Sequence, residues 1–145
     1  MSYNKEQMKK LVSLMGNVRQ FDGTVKLRKE YSDEWIEQNK ENLVQVSVLD
    51  VEATGLSHLF DEIIEIALVP VLLDKTNNYE PVKVLEGYNE HNEPSDISKI
   101  TEEITELTGI SQDDVKGKSI DWSIVNKICD ESVAIIAHNA KYDSK

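Results

Sequence analysis

From Leu43 onward the spacing of hydrophobic positions changes several times, and each change marks an element. Val46 to Ala53 and Ile63 to Asp74 are runs rich in Val, Ile and Leu, the composition of β-strands. Asn77-Asn78 marks a turn and Pro81 to Tyr88 reads as a third strand, so the second and third strands form a hairpin. The stretch HNEPSDIS reads as loop. Ser98 to Leu107 predicts a short helix stopped at Gly109, a residue suited to the left-handed position after a helix end. Asp121 or a neighbour opens another helix, whose Ile124, Val125, Ile128 and Cys129 share one side. Val133 to Ala137 is continuously apolar, as expected of a strand covered on both faces. Strands, helices and a final buried strand together predict a mixed β-sheet with flanking helices, an α/β domain.

Upstream the pattern is different. In residues 3–18, Met8, Leu11, Val12 and Met15 fall on one helical face. Ser32, followed by Asp33 and Glu34, predicts a second helix start running towards Asn42. Between them, GNVRQFDGTVKLRKE holds two glycines and alternating Val25 and Leu27, a loop or short ribbon. Residues 1–42 are therefore read as a mainly helical N-terminal extension, packing its apolar face on the main domain or on a partner, and residues 43–145 as the main domain.

Composition fits one globular domain: 145 residues, 39% hydrophobic and 30% charged. The longest apolar run, IALVPVLL, is too short to span a bilayer and contains Pro70. A single cysteine, Cys129, excludes an internal disulfide and a zinc site built from several cysteines. These features point to a soluble, cytoplasmic chain without a membrane anchor. The net charge of −11 is unevenly spread: 8 basic against 6 acidic residues through Lys40, then 8 against 21. A basic stripe of the kind that neutralises phosphates is absent from the main domain, and part of the acidity could surround bound cations.

The candidate chemistry begins at Asp50 and Glu52, two carboxylates two residues apart in a strand otherwise made of Val, Leu and Ala. Strand side chains alternate, so both point to one face with Cα atoms about 6–7 Å apart. Like charges held that close on a half-buried face are unfavourable unless a cation sits between them, and hard oxygen donors select Mg2+, Mn2+ or Ca2+ over zinc. Alone, an Asp-x-Glu pair equally fits a strand end facing water. Two further signals shift the balance. Thr54-Gly55-Leu56 follows at once, a turn whose glycine can bring backbone N–H groups close to a ligand. A second apolar strand, AIIA, runs into HNAKYD, placing Asp143 just past its end. If the two strands are neighbours, Asp143 converges on Asp50 and Glu52 as a divalent-metal site, and two metals about 4 Å apart can clamp the attacking and leaving oxygens of a phosphoryl transfer.

In order, D-V-E-A-T-G-L at 50–56, E-I-I-E-I-A at 62–67, I-T-E-L-T-G-I at 104–110 and H-N-A-K-Y-D at 138–143 resemble the DnaQ-like exonucleases. That family includes the proofreading subunits of bacterial replicative DNA polymerases, ribonuclease T and oligoribonuclease. The resemblance covers residues 43–145 and implies a ribonuclease H-like fold and 3′–5′ hydrolysis releasing nucleoside 5′-monophosphates with Mg2+ or Mn2+ in a two-metal site. It further implies that Asp50 bridges both metals, Glu52 binds the one carrying the attacking water and Asp143 holds the second. Thr54, Gly55 and Leu56 would touch the terminal nucleotide, with Leu56 wedged against its base. His138 and Asn139 would support the substrate strand or the Asp143 turn, and Thr108 and Ile110 would border the nucleotide pocket. The implied partners are a single-stranded DNA or RNA 3′ end and a polymerase subunit.

Two departures qualify the match. Ala53 stands where the family often has a second Thr. The family's third motif, H-x-A-x-x-D, which carries its general base, is not present, since neither His58, His91 nor His138 begins it. The expectation is therefore a C-terminally truncated domain, inactive by itself, with the AIIA strand at or near a sheet edge. Ribonuclease H and integrase-type nucleases share a sheet with carboxylates at strand ends, but typically place one Asp on the first strand and draw the second acid from a helix. The remaining alternative is a non-catalytic module that keeps the fold and binds a nucleic-acid end or a protein.

Overall fold

A computed structural model describes residues 27, 29–57 and 59–137 of the protein. The helix expected within residues 3–18 and most of the loop or ribbon after it lie outside the described residues. The second helix is present as α1, Asp33–Gln38. The Ser32 side chain caps it by accepting the Trp35 N–H at 3.0 Å. A single 3-10 turn, Lys40–Asn42, then leads into the sheet.

Five strands follow: β1 Leu43–Ala53, β2 Ile63–Asp74, β3 Glu80–Val84, β4 Tyr88–His91 and β5 Ala134–Ala137. The order is β3-β2-β1-β5, with β4 also paired to β2. β1 is antiparallel to β2 from Leu43 opposite Asp74 to Glu52 opposite Glu65. It is parallel to β5 from Val46 opposite Ala134 to Leu49 opposite Ala137. The sheet is therefore mixed, as expected, with β1 at its centre.

Alternation along β1 and β2 fills two faces. On one, Val44, Val46 and Val48 pack with Val71, Leu73, Tyr79 and Ala134. On the other, Ile66 and Leu68 meet Ile120 and Val125, with Leu49, Val51, Ile128 and Cys129 around them. The second cluster is the seat of α4, Trp122–Asp130, whose N-cap Asp121 accepts the Ser123 N–H at 3.0 Å. Two shorter helices, α2 Glu102–Thr108 and α3 Gln112–Val115, close a third cluster in which Ile100, Ile110 and Val115 cover Ile64. α2 ends at Gly109, whose φ of 77° is the left-handed geometry a glycine supplies cheaply.

Three expectations need correction. The strand expected over Pro81–Tyr88 is two strands. Both lie on the same edge of β2, but Val84 pairs with Val71 and Tyr88 with Leu68, so the outer chain carries one residue too many for a continuous ladder. The excess is taken up at 85–87, where a side chain on Gly87 would come within 2.7 Å of the Leu68 carbonyl oxygen. The helix expected from Ser98 is a 3-10 turn at Ile97–Lys99 followed by α2, divided where Thr101 caps the latter and Ile100 turns into the core. β5 is not covered on both faces: Ala134 is buried, whereas Ile135 is 40% exposed. The reason is position, because β5 is the terminal strand of the described order.

Leu68, fully buried where β2 meets α4, is the test of this packing. Leu68→Ala is expected to cost about 2–5 kcal/mol in chemical denaturation. A second expectation concerns acid. Asp96 and Asp121 are held below the usual aspartate range, first by the hydroxyls of Ser98 and Ser123 and then by their N–H groups. Asp114 is lowered chiefly by the Ser111 N–H. A depressed folded pKa contributes stability that is complete above the ordinary aspartate value of 3.8 and is lost as pH falls through the lowered one. Thermal melts in the window just below that value should therefore show a loss of stability, reduced when all three aspartates are replaced by Asn.

Candidate active site

Asp50 and Glu52 occupy the last third of β1, on the face whose earlier positions are Val44, Val46 and Val48. The apolar row thus ends in two half-buried carboxylates. Directly across the antiparallel ladder from Glu52 stands Glu65, and directly across from Glu65 stands His91 of β4. Cross-strand partners share a face, so Glu52, Glu65 and His91 form a row over three strands. The Glu65 carboxylate takes the His91 Nε2 at 2.9 Å. Residues directly opposite with like charge are unfavourable, and the imidazole lies on the far side of Glu65, where it can offset part of that cost. His91, read from sequence as an ordinary loop residue, belongs to this face. The signal for Glu65 was available: it is a carboxylate in an apolar strand, as Asp50 and Glu52 are.

On the other flank, the parallel register with β5 brings Ala137 level with Leu49, one residue before Asp50. The chain thus leaves β5 beside the carboxylate pair. His138, Asn139 and Asp143 lie outside the described residues. Among the described residues no group of three or more His, Cys, Asp or Glu side chains is placed to hold a metal ion. Asp50 and Glu52 remain suitable as hard donors on one face, so they fit part of a Mg2+ or Mn2+ site but do not complete it.

β1 ends at a bulge. Glu52 pairs with Glu65 but Ala53 pairs with Ile63, leaving Ile64 as the extra residue on β2. Beyond it the turn is closed by the Thr54 N–H on the Glu62 carbonyl at 3.0 Å. The Thr54 side chain is also engaged: its hydroxyl donates to Asp61 Oδ1 at 2.9 Å and accepts the Glu62 N–H at 3.0 Å. The other Asp61 oxygen, Oδ2, accepts the Ser57 N–H at 2.8 Å. These bonds, the Ser57 N–H first and the Thr54 hydroxyl second, hold the Asp61 carboxyl below the usual range. Leu56 stands 44% exposed at the head of the turn, followed by exposed Leu59 and Phe60. Lys99 Nζ donates to the Phe60 carbonyl and ties the loop back to the 3-10 turn.

Thr108 and Ile110 are placed differently from Leu56. The Thr108 hydroxyl donates to the Ile104 carbonyl at 2.8 Å and accepts the Ile110 N–H at 3.1 Å, shaping the end of α2. Ile110 is 4% exposed and packs on Ile64, the bulged residue, so its side chain backs the sheet rather than lining open surface.

The model of the exonuclease family that includes ribonuclease T matches residues 47–145. The chain belongs to the exonuclease family. Members among curated proteins include DNA polymerase III PolC-type of Halalkalibacterium halodurans, 36% identical over 98 residues, covering 66% of this chain. The same protein of Caldanaerobacter subterraneus subsp. tengcongensis is 35% identical over 98 residues, again 66% of this chain. This chain spans about 6% of the length of these relatives. Among solved structures, a chain of the crystal structure of SSB/exonuclease I with the inhibitor CFAM aligns with a TM-score of 0.50. That alignment has 14% identity and covers 69% of this chain and 22% of the other, a likeness of fold. The sheet of this family member is the ribonuclease H-like one, and the DnaQ-like resemblance of its motifs holds.

The engagement of Thr54 leaves Gly55 with little room. A Cβ placed on it would lie 2.5 Å from Asp61 Oδ2. In Gly55→Ala the Asp61 carboxylate must abandon its bonds to Thr54 and Ser57. The expected cost is about 1–3 kcal/mol by urea denaturation. Adding Asp61→Ala to Gly55→Ala should then cost less than the two single losses summed.

Proposed function

We propose that this exonuclease-family domain hydrolyses single-stranded DNA or RNA from its 3′ end, releasing nucleoside 5′-monophosphates. The observation that carries the reading is the register of the central strand: Asp50 and Glu52 end one face of β1, and β5 hands the chain over beside Asp50. In this reading Asp50, Glu52 and Asp143 hold Mg2+ or Mn2+ in a two-metal site. Those ions supply positive charge at the scissile phosphate and favour ionisation of water there.

The remaining work falls to the chain's own groups. Leu56, exposed at the head of the turn, lies against the terminal base and limits how far the strand advances. The backbone of Thr54-Gly55 borders the sugar, and His138 and Asn139 steady the strand leaving the site. Thr108 and Ile110 keep the pocket wall in place through α2 and the Ile64 bulge. Glu65 and His91 extend the polar face beyond Glu52 and lie on the side from which the rest of the strand can arrive. The main domain is acidic, so phosphate contacts come mainly from bound metal, backbone N–H groups and the mildly basic first 40 residues, part of the extension 1–42 that precedes residues 43–145.

The PolC-type relatives suggest proofreading beside a polymerase in the bacterial cytoplasm. Among the described residues no helix is long and apolar enough to cross a membrane.

The test is to incubate the longest natural product carrying this segment with a 5′-labelled single-stranded oligonucleotide and Mn2+. A ladder shortened from the 3′ end is expected, with Asp50→Ala slowing it by about a thousandfold or more. An oligonucleotide that is bound but never shortened, by a protein that takes up no Mn2+, would identify an end-binding module instead.

A further inference from the structure

The loop from Thr54 to Asp61 is held by more bonds than a surface connection needs. One carboxylate, Asp61, grips it at two points three residues apart: the Thr54 hydroxyl at 2.9 Å and the Ser57 N–H at 2.8 Å. Between those two points lie only Gly55 and Leu56. The Asp61 N–H returns to the Ser57 carbonyl at 3.0 Å, closing the loop on itself. Thr54 is 6% exposed and its hydroxyl is shared between Asp61 and the Glu62 N–H, so this bracket is anchored in the end of the sheet. The side-chain-free Gly55 is what lets the carboxylate sit so close beneath the turn.

We propose that Asp61 is a positioning residue of the nucleotide site, fixing Leu56 relative to Asp50 and Glu52. The inference rests on the exonuclease reading of that site. Leu56 is 44% exposed and its neighbours Leu59 and Phe60 are more so, so the backbone of the turn weighs heavily in setting its height. Its position follows from that backbone, which the two oxygens of Asp61 tie down at Thr54 and at Ser57. A carboxylate suits this task because both contacts are donors, an O–H and an N–H. An amide offers only one acceptor oxygen, so Asp61→Asn retains one anchor and turns its NH2 towards the other.

The experiment measures two affinities of the full chain by calorimetry: Mn2+ alone, and a nucleoside 5′-monophosphate in the presence of saturating Mn2+. Asp61→Ala is expected to leave Mn2+ affinity within about twofold while weakening the mononucleotide by about tenfold. Leu56→Ala should cause a similar loss, and the double variant should lose no more than either single one. Asp61→Asn should fall between wild type and Asp61→Ala, and it carries the test if Asp61→Ala fails to fold. Equal loss of Mn2+ and mononucleotide affinity, or additive losses in the double variant, would show Asp61 to be merely structural. Unchanged mononucleotide binding in Asp61→Ala, when the wild type binds both ligands, would also overturn the proposal and leave the exonuclease reading intact. A wild type that binds neither ligand would overturn the reading itself, and the positioning role with it.

Discussion

Everything at the candidate site depends on β1 being paired along both edges. An antiparallel partner and a parallel partner fix its register independently, and a one-residue slip against either would turn Asp50 and Glu52 to the opposite face. The burial of Val44, Val46 and Val48 on one side and the packing of Leu49 and Val51 on the other make that slip costly. The core therefore does more than stabilise the domain. It determines where the carboxylates point, and it places them where the apolar cover ends.

The charged row that begins at Glu52 shows how a sheet can carry groups that oppose one another. Glu52 and Glu65 face each other because the ladder requires it, and His91 is delivered to Glu65 by a strand that re-pairs with β2 after a one-residue excess. That excess, which split the expected third strand, is what creates β4. A continuous β3 would have kept the register of Val84 opposite Val71 and put Glu90, not His91, across from Glu65. The irregularity and the histidine contact are thus one feature seen at two scales.

Much of this was legible in the sequence, for identifiable reasons. β2 was read to its end residues because Ile63 and Asp74 bound a β-branched run flanked by polar turns. The carboxylate pair was visible because Asp and Glu are out of place in such a strand. The Gly109 stop was visible because a left-handed residue has a chemical signature. What escaped was set by long-range register. The division of Pro81–Tyr88 depends on how the strand lies against β2, which local periodicity does not encode. The exposure of Ile135 follows from the sheet-edge position expected for the AIIA strand, although its continuous apolar run suggested cover on both faces. Asp61 escaped for another reason: an aspartate before a strand is ordinary, and its partners Thr54 and Ser57 become meaningful only once the loop is closed. The roles of Thr108 and Ile110 were read from motif alone, and the structure assigns their side chains to helix-end bonding and core packing.

The bulge at Ile64 has a consequence for how this domain can diverge. It sets the count of residues between the last ladder pair, Glu52 opposite Glu65, and the Thr54–Glu62 closure. Leu59 and Phe60 lie exposed inside the span that Asp61 closes, so the chain there can lengthen or shorten while both anchors stay in place. Between Glu62 and Glu65 no such freedom exists, because removing one residue would erase the bulge, rotate the strand entry and carry Asp61 away from Thr54. Lineages of this fold should accordingly tolerate length variation at Leu59 and Phe60 and resist it a few residues later, a boundary between free and fixed chain drawn by one isoleucine that has no opposite number on β1.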